Sequence, residues 1–362
     1  MITPRSIMAA RSSPDNDKYV IIHEYLSLDY LETILRNFPI DIDSTRRLYL
    51  NELSQYTRLY EVNVAKSPIL GSIAGQVYLI DTPSGRRIAC HPHLVADELS
   101  DLCYKSAKEF VLVLKEQELI SGNSGILHIL RGGLGYRVDK VLSKLPVINI
   151  RTQYKEDGYR AHSDDSRRIE VTYSDYHQTN FDSLIVPDTY ATGRSVEAAL
   201  QHMFDMGLSV ENVIIYGFIA APGVERVYRL LAEHGVYMYV FAICTISQLY
   251  VNNYDMPLYG LDEHLYKQKG VIKPLGSIVS LETLRDMIPY YVPGMDQPGD
   301  WSERHTDLFN GYNNESGNIR EHLQKSIELI EALDELNSQQ PWYNERIHHI
   351  TRKEIENCRK IL

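Results

Sequence analysis

Residues 183–200, SLIVPDTYATGRSVEAAL, carry the residue types and spacing from which chemistry can be argued. A short apolar run reads as a buried strand. Asp188, Thr189, Ala191, Thr192, Gly193, Arg194 and Ser195 then form a turn, and Val196 to Leu200 open a helix. A strand followed by hydroxyls, a glycine and a helix start makes an anion site, because free backbone N–H groups and the positive end of the dipole face the turn. Asp188 would repel that anion. It is better placed as an acceptor for sugar hydroxyls beside a bound phosphate, and a ribose phosphate meets both demands. Taken alone, the segment could also be an ordinary strand–turn–helix connection.

Two other stretches have comparable content. Residues 129–138, ILRGGLGYRV, set Arg131 and the Gly132-Gly133 pair directly after an apolar strand. Residues 291–300 read YVPGMDQPGD. All three resemble the loops of type I phosphoribosyltransferases, and uracil phosphoribosyltransferases in particular. ATGRS is similar to their ATGGS, ILRGGLG to ILRAGLG, and YVPGMDQPGD to IVPGLGDAGD. The three occur in the family's order, over roughly residues 125–300.

The resemblance implies the type I phosphoribosyltransferase fold, a parallel sheet flanked by helices. It implies transfer of ribose 5-phosphate from phosphoribosyl diphosphate (PRPP) to a nitrogen of a pyrimidine-type base, uracil first, with Mg2+ held mainly by PRPP and pyrophosphate released. Asp188 is a further metal contact that could be used. PRPP would be bound by Arg131, Gly132, Gly133, Arg151, Asp188, Thr189, Ala191, Thr192, Gly193, Arg194 and Ser195. Asp188, Arg131 and Arg151 would carry the catalysis. The base would be bound by Tyr291, Val292, Gly294, Asp296, Gln297 and Gly299. A cytoplasmic homodimer or higher homo-oligomer in nucleotide salvage is the corresponding setting.

The transfer asks for electrostatic stabilisation and positioning rather than covalent chemistry. Gly193 permits a positive φ. Arg131 follows its strand directly, and Arg151 ends the next one, where guanidinium forks suit phosphate oxygens. Arg194 replaces a glycine of the family, and its side chain could reach phosphate or point to solvent. Arg137, Lys140, Arg160, Arg167 and Arg168 are further cations nearby. The base loop departs from the pattern: Asp296 and Gln297 replace a glycine and an aspartate, and Pro298 removes an N–H donor. The carboxylate of Pro187-Asp188 is moved by one position. Other acceptors, or a non-catalytic PRPP or nucleotide sensor, are therefore the alternatives.

Composition excludes several classes. With 44% hydrophobic and 23% charged residues over 362, the chain reads as soluble and globular, and no 18-residue apolar run is present. A net charge of −11 argues against broad nucleic-acid or membrane binding. Four scattered cysteines suit reduced thiols. Cys90, His91 and His93 raise zinc, but no second cluster stands at ligand spacing. The first 18 residues lack a secretory apolar core and read as a polar, fraying end.

The elements that must position these residues fall into three parts. Residues 1–120 read as a mainly helical segment: an amphipathic helix over 44–60, a hairpin of 77–80 and 87–90 about TPSG, and a helix over 94–114. Residues 121–300 alternate strands (126–130, 147–150, 183–186, 212–219, 237–244) with helices (136–145, 195–206, 224–234), which argues a parallel sheet with ligands at its carboxyl edge. Within them, 152–180 reads as a hairpin or flap. Residues 301–362 form a helical extension, 319–336 and 342–361, with a core-facing stripe of Leu323, Ile327, Ile330 and Leu333 that could also make a subunit contact.

Overall fold

The computed structural model describes residues 28–71, 73–155 and 168–362. In chain order its principal elements are α1 (Leu28–Asn37), β1 (Thr45–Leu48), β2 (Arg58–Val62), β3 (Gln76–Asp81), α2 (Pro83–Cys90) and α3 (Ala96–Glu116). Next come β4 (Ser124–Leu130), α4 (Val138–Val141), β5 (Val147–Tyr154), β6 (Ile169–Asp175), β7 (Asn180–Pro187) and α5 (Arg194–Asp205). Then follow β8 (Ser209–Ala220), α6 (Ala221–Glu233), β9 (Tyr237–Ser247), α7 (Glu263–Lys269), α8 (Leu281–Met287), α9 (Ile319–Ser338) and α10 (Glu345–Ile361).

The architecture is mixed α/β, with a mostly parallel sheet between helices, as expected. Its strand order is β1-β2-β3-β9-β8-β7-β4-β5-β6. β3, β9, β8, β7, β4 and β5 pair in parallel, while β1-β2, β2-β3 and β5-β6 are antiparallel. Alternation along the central strands feeds two cores. Ile214, Tyr216, Phe241 and Ile243 face α3, α8 and α9, while Val213, Ile215, Val240 and Ala242 face α5 and α6. Both faces are covered, so the central strands read as continuous apolar runs.

Among the described residues before 120, the helices lie elsewhere than expected. Residues 44–60 form β1, a loop and β2: Arg46 pairs with Glu61 across the strands. Carboxylates of α3 take the loop's N–H groups, Glu116 those of Asn51 and Glu52, and Glu109 that of Ser54. Tertiary capture of the backbone outweighs the apolar spacing that suggested a helix. The hairpin of 77–80 and 87–90 is absent for a different reason. Thr82 caps α2, accepting from Gly85 N at 2.8 Å, and Pro83 takes the first helical position. Threonine before proline is a helix start as much as a turn signal. The helix over 136–145 contracts to the single turn of α4. The expected flap is described only at its ends, where β6 pairs with β5. Residues 156–167, with Arg160 and Arg167, and the N-terminal 18 lie outside the described residues.

Thr82 is buried and its hydroxyl also meets Ser106 Oγ at 3.3 Å. Thr82→Ala should therefore cost about 1 kcal/mol in urea unfolding. A loss below about 0.3 kcal/mol would show that Pro83 alone sets the helix start.

Candidate functional site

β4 and β7 are adjacent and parallel, so the loops leaving their carboxyl ends share one edge of the sheet. There they border a cleft of about 410 Å3. Its lining joins all three motif segments: Leu130, Arg131 and Gly132; Asp188, Thr189 and Ala191 to Val196; and Asp296 with Pro298 to Asp300. Residues separated by more than 160 positions thus converge.

The 188–193 loop is held from beneath. Asp188 N donates to Tyr216 O at 3.0 Å, Tyr190 N to Phe218 O at 2.8 Å, and Ala220 N to Tyr190 O at 2.9 Å. Tyr190 is fully buried and its hydroxyl donates to Val186 O at 2.5 Å. Thr189 Oγ1 lies 2.6 Å from Tyr136 Oη. Gly193 has φ +74°, and a Cβ there would stand 2.8 Å from Gly223 O. Only glycine meets both constraints without strain. α5 then begins at Arg194, so Thr192 to Ser195 border the cleft where the helix start has unpaired donors. The Arg194 guanidinium lies over the Tyr154 ring at 5.6 Å.

Arg131 lines the cleft but is engaged by carboxylates, pairing with Glu303 and with Glu315 at 2.9 Å. Gly132 O accepts from Trp301 Nε1 at 3.0 Å. Gly133 lies beneath the floor: a Cβ would stand 2.8 Å from Pro187 O, so the glycine serves close packing rather than an approaching ligand. Arg151 also departs from expectation. β5 runs on to Tyr154, and Arg151 Nη1 donates to Asn310 O at 2.8 Å, while Thr152 and Tyr154 line the cleft. Arg137 is buried against Asp307, and Lys140 pairs with Asp139.

The 291–300 loop divides in two. Tyr291, Val292, Gly294 and Gln297 are in the core. Tyr291 Oη accepts from Leu258 N at 2.9 Å and donates to Met295 O. Gln297 Nε2 donates to Ser247 Oγ at 2.8 Å and Met256 O at 3.1 Å, and its Oε1 accepts from Thr245 at 3.1 Å. Those side chains brace the wall instead of forming a slot. Asp296, Pro298, Gly299 and Asp300 face the cleft.

Sequence reasoning missed Asn253, Tyr254, Met256, Trp301, Ser302 and Glu303, which complete the lining. Trp301 had a signal, standing directly after the motif's closing Asp300; it stacks on Tyr136 with centroids 4.5 Å apart. Asn253 to Met256 lie between β9 and α7, where no local pattern marks a site.

The electrostatics are acidic. Asp188, Asp296, Asp300 and Glu303 line the cleft with two arginines. Burial pushes Asp188 up from 3.8 to about 7, against a backbone hydrogen bond at Thr189 that lowers it. Burial also raises Asp296 well above the ordinary range, reinforced by Asp255. Its Oδ1 accepts from Met256 N at 2.7 Å, while Oδ2 is buried with no partner among the described residues. Carboxyls so shifted in a cleft make it a candidate functional site.

No family model matches the chain, and no curated protein does. Similarity is found among solved structures. The AQ2163 protein from Aquifex aeolicus is 15% identical, with 46% of this chain and 83% of that one covered at a TM-score of 0.35. A purine phosphoribosyltransferase from Pyrococcus horikoshii Ot3 is 16% identical, covering 40% and 81% at 0.26. An orotate phosphoribosyltransferase from Aeropyrum pernix is 20% identical, covering 38% and 71% at 0.25. The latter two belong to the class whose loops the sequence resembles. In each case less than half of this chain is covered.

Asp188 holds its proton more tightly folded than unfolded, so between about pH 4 and pH 7 the folded chain binds more protons and stability falls as pH rises. Each pKa unit corresponds to about 1.4 kcal/mol. Asp188→Asn should abolish that part of the fall, so that in urea unfolding the variant's advantage over the parent grows from pH 5 to pH 8. An equal difference at both pH values would show that Asp188 titrates normally.

Proposed function

We propose that the chain is a PRPP-dependent phosphoribosyltransferase. The observation that carries this reading is the convergence of the three motif loops on one cleft, with the start of α5 at its edge. In it, the backbone and hydroxyls of Thr192, Gly193 and Ser195, with Ala191 and Arg194, bind the 5′-phosphate. Asp188 and Thr189 face the ribose hydroxyls, and Asp188, with its raised pKa, stands ready to accept from them when deprotonated. Arg131 holds the pyrophosphate.

In the transfer, the bond from the anomeric carbon to the pyrophosphate oxygen breaks and a bond to a nucleophilic nitrogen forms. Negative charge leaves with pyrophosphate while the ribose becomes cationic. The carboxylates bordering the cleft favour that developing cation. They also oppose the donor's phosphates, and here the chemistry of the lining fits Mg2+: Asp188, Asp300 and Glu303 offer oxygen donors, which suit a hard cation. Bound with the donor, Mg2+ supplies neutralising charge to the pyrophosphate. Arg131 exchanges its carboxylate partners for phosphate oxygens, and Glu303 stays near the leaving group.

Uracil is one acceptor. A different heterocycle has a specific observation in its favour: Gln297 and Tyr291 are consumed by core hydrogen bonds, and Pro298 offers the cleft no N–H. Tyr254, Met256 and Trp301 are the side chains available to contact a flat ring. We place the transfer machinery in residues 121–300 together with Trp301 to Glu303, and residues 304–362 brace it.

Incubation with PRPP, Mg2+ and a panel of bases should release pyrophosphate, and the base that supports release identifies the acceptor. PRPP binding without turnover on any base would make the protein a sensor, and absence of PRPP binding would refute the reading. Arg131→Ala should weaken PRPP binding at least tenfold. Glu315→Gln, which removes a competitor for the same guanidinium, should tighten it by up to about fivefold, since a partly exposed pair contributes about 1 kcal/mol or less. Opposite signs for these two variants distinguish donor binding from general damage.

A further inference from the structure

His91 and His93 belong to the connection between α2 and α3, and Glu354 to α10, more than 260 residues away. In the fold they converge. His91 Nδ1 lies 2.9 Å from Glu354 Oε2, and His93 Nδ1 lies 2.5 Å from Glu354 Oε1. One ligand atom from each of the three falls within 4.8 Å of the others. Cys90, the sulfur that the sequence places beside them, turns into the core toward Met287 O. We infer that His91, His93 and Glu354 form a binding site for a transition-metal dication of the Zn2+ class, separate from the cleft.

Three features of the geometry carry this. Two imidazole nitrogens and a carboxylate oxygen form the N2O donor set that Zn2+ accepts with three protein ligands. Tetrahedral bonds of about 2.0–2.1 Å put ligand atoms about 3.3 Å apart, so an ion enters by sub-ångström opening of the two histidine–glutamate contacts. Each imidazole then presents Nδ1 as a lone pair and carries its proton on Nε2.

Second, Glu354 is almost fully buried, and among the described residues its ion-pair partners are these two imidazoles alone. A buried carboxylate needs positive charge or full hydrogen bonding, and a dication held among the three side chains supplies that charge. Third, the His91 side chain is 21% exposed, so one face of the site is open to water for entry and for a fourth ligand. Nitrogen donors disfavour Mg2+ and Ca2+, whose ligands are oxygens. The site would staple α10 to the α2–α3 connection, where His91 O also accepts from the buried Arg304.

The full-length chain, stripped with EDTA and titrated with ZnCl2, should retain one zinc per chain after desalting. At a hundredfold excess over Kd, its Tm should rise by about 3 °C. Co2+ should give the visible absorption of a tetrahedral centre. His93→Ala and Glu354→Gln should each weaken zinc binding at least tenfold and abolish the Tm rise, with Mg2+ giving none. Should either variant fail to fold by far-UV circular dichroism, His91→Ala, at the open edge, gives the same readout. Failure of the parent chain to retain zinc, or unchanged zinc content in the variants, would overturn the assignment. None of these readouts depends on PRPP or turnover, so the outcome is independent of the function proposed for the cleft.

Discussion

One buried guanidinium holds the cleft wall in place. Arg304 is completely inaccessible, yet its donors are matched by backbone carbonyls: Nε to Leu94 O at 3.1 Å, Nη1 to Pro298 O at 2.7 Å, and Nη2 to His91 O at 2.9 Å and Leu94 O at 3.0 Å. Burial lowers its pKa to about 10, so it remains charged at neutral pH. Taking that charge out of water costs several kcal/mol unless every donor is satisfied. Carbonyls from two distant segments satisfy them, and those segments are thereby fixed to each other. Pro298 belongs to the cleft and Leu94 to the entry of α3. Trp301, three residues before Arg304, is positioned by the same short helix and closes over Gly132.

That constraint explains an otherwise costly arrangement. Four carboxylates line a cleft with two arginines, and Arg131 is held by Glu303 and Glu315. Like charges so disposed repel, and a pliable wall would relax by turning them outward. Here the wall cannot yield, because Pro298, Asp300 and Glu303 are within six residues of an anchored guanidinium. Burial favours the protonated form of Asp188, and burial reinforced by Asp255 and Asp300 favours that of Asp296.

How much of this was legible in the residues varied with the range of the forces involved. The central strands and α5, α6 and α9 were readable because period-2 and period-3.6 patterns are local, and both sheet faces are covered. The loops 129–132 and 188–195 were readable for the same reason: a strand end, a glycine and a helix start are consecutive. Residues 44–60 were misread because Glu109 and Glu116 of α3 decide their backbone partners. Arg151 was misplaced by strand phase. β5 continues beyond it with a register shift after Arg151, so Thr152 and Tyr154 face the cleft. The resemblance gives Tyr291 and Gln297 to the base, whereas Leu258, Met256, Ser247 and Thr245, all at least 33 positions away, engage their polar atoms. Polar type alone does not distinguish a side chain that greets a ligand from one that satisfies the core.

The same logic bears on the segments outside the three motifs. β3 pairs in parallel with β9, at the centre of the sheet rather than beside it. α9 packs Leu333 against Gly294, where a Cβ would come within 2.5 Å of that side chain. The described residues before 120 and those after 303 are therefore structural parts of the cleft's support. Asn337 Nδ2 of α9 donates to Pro293 O at 2.9 Å, and His322 Nε2 meets Pro92 O at 2.8 Å. The glycines give the loop little stiffness of their own. Its shape comes from such contacts, and the outline of the cleft is encoded as much in α9 and the α2–α3 connection as in the motif itself.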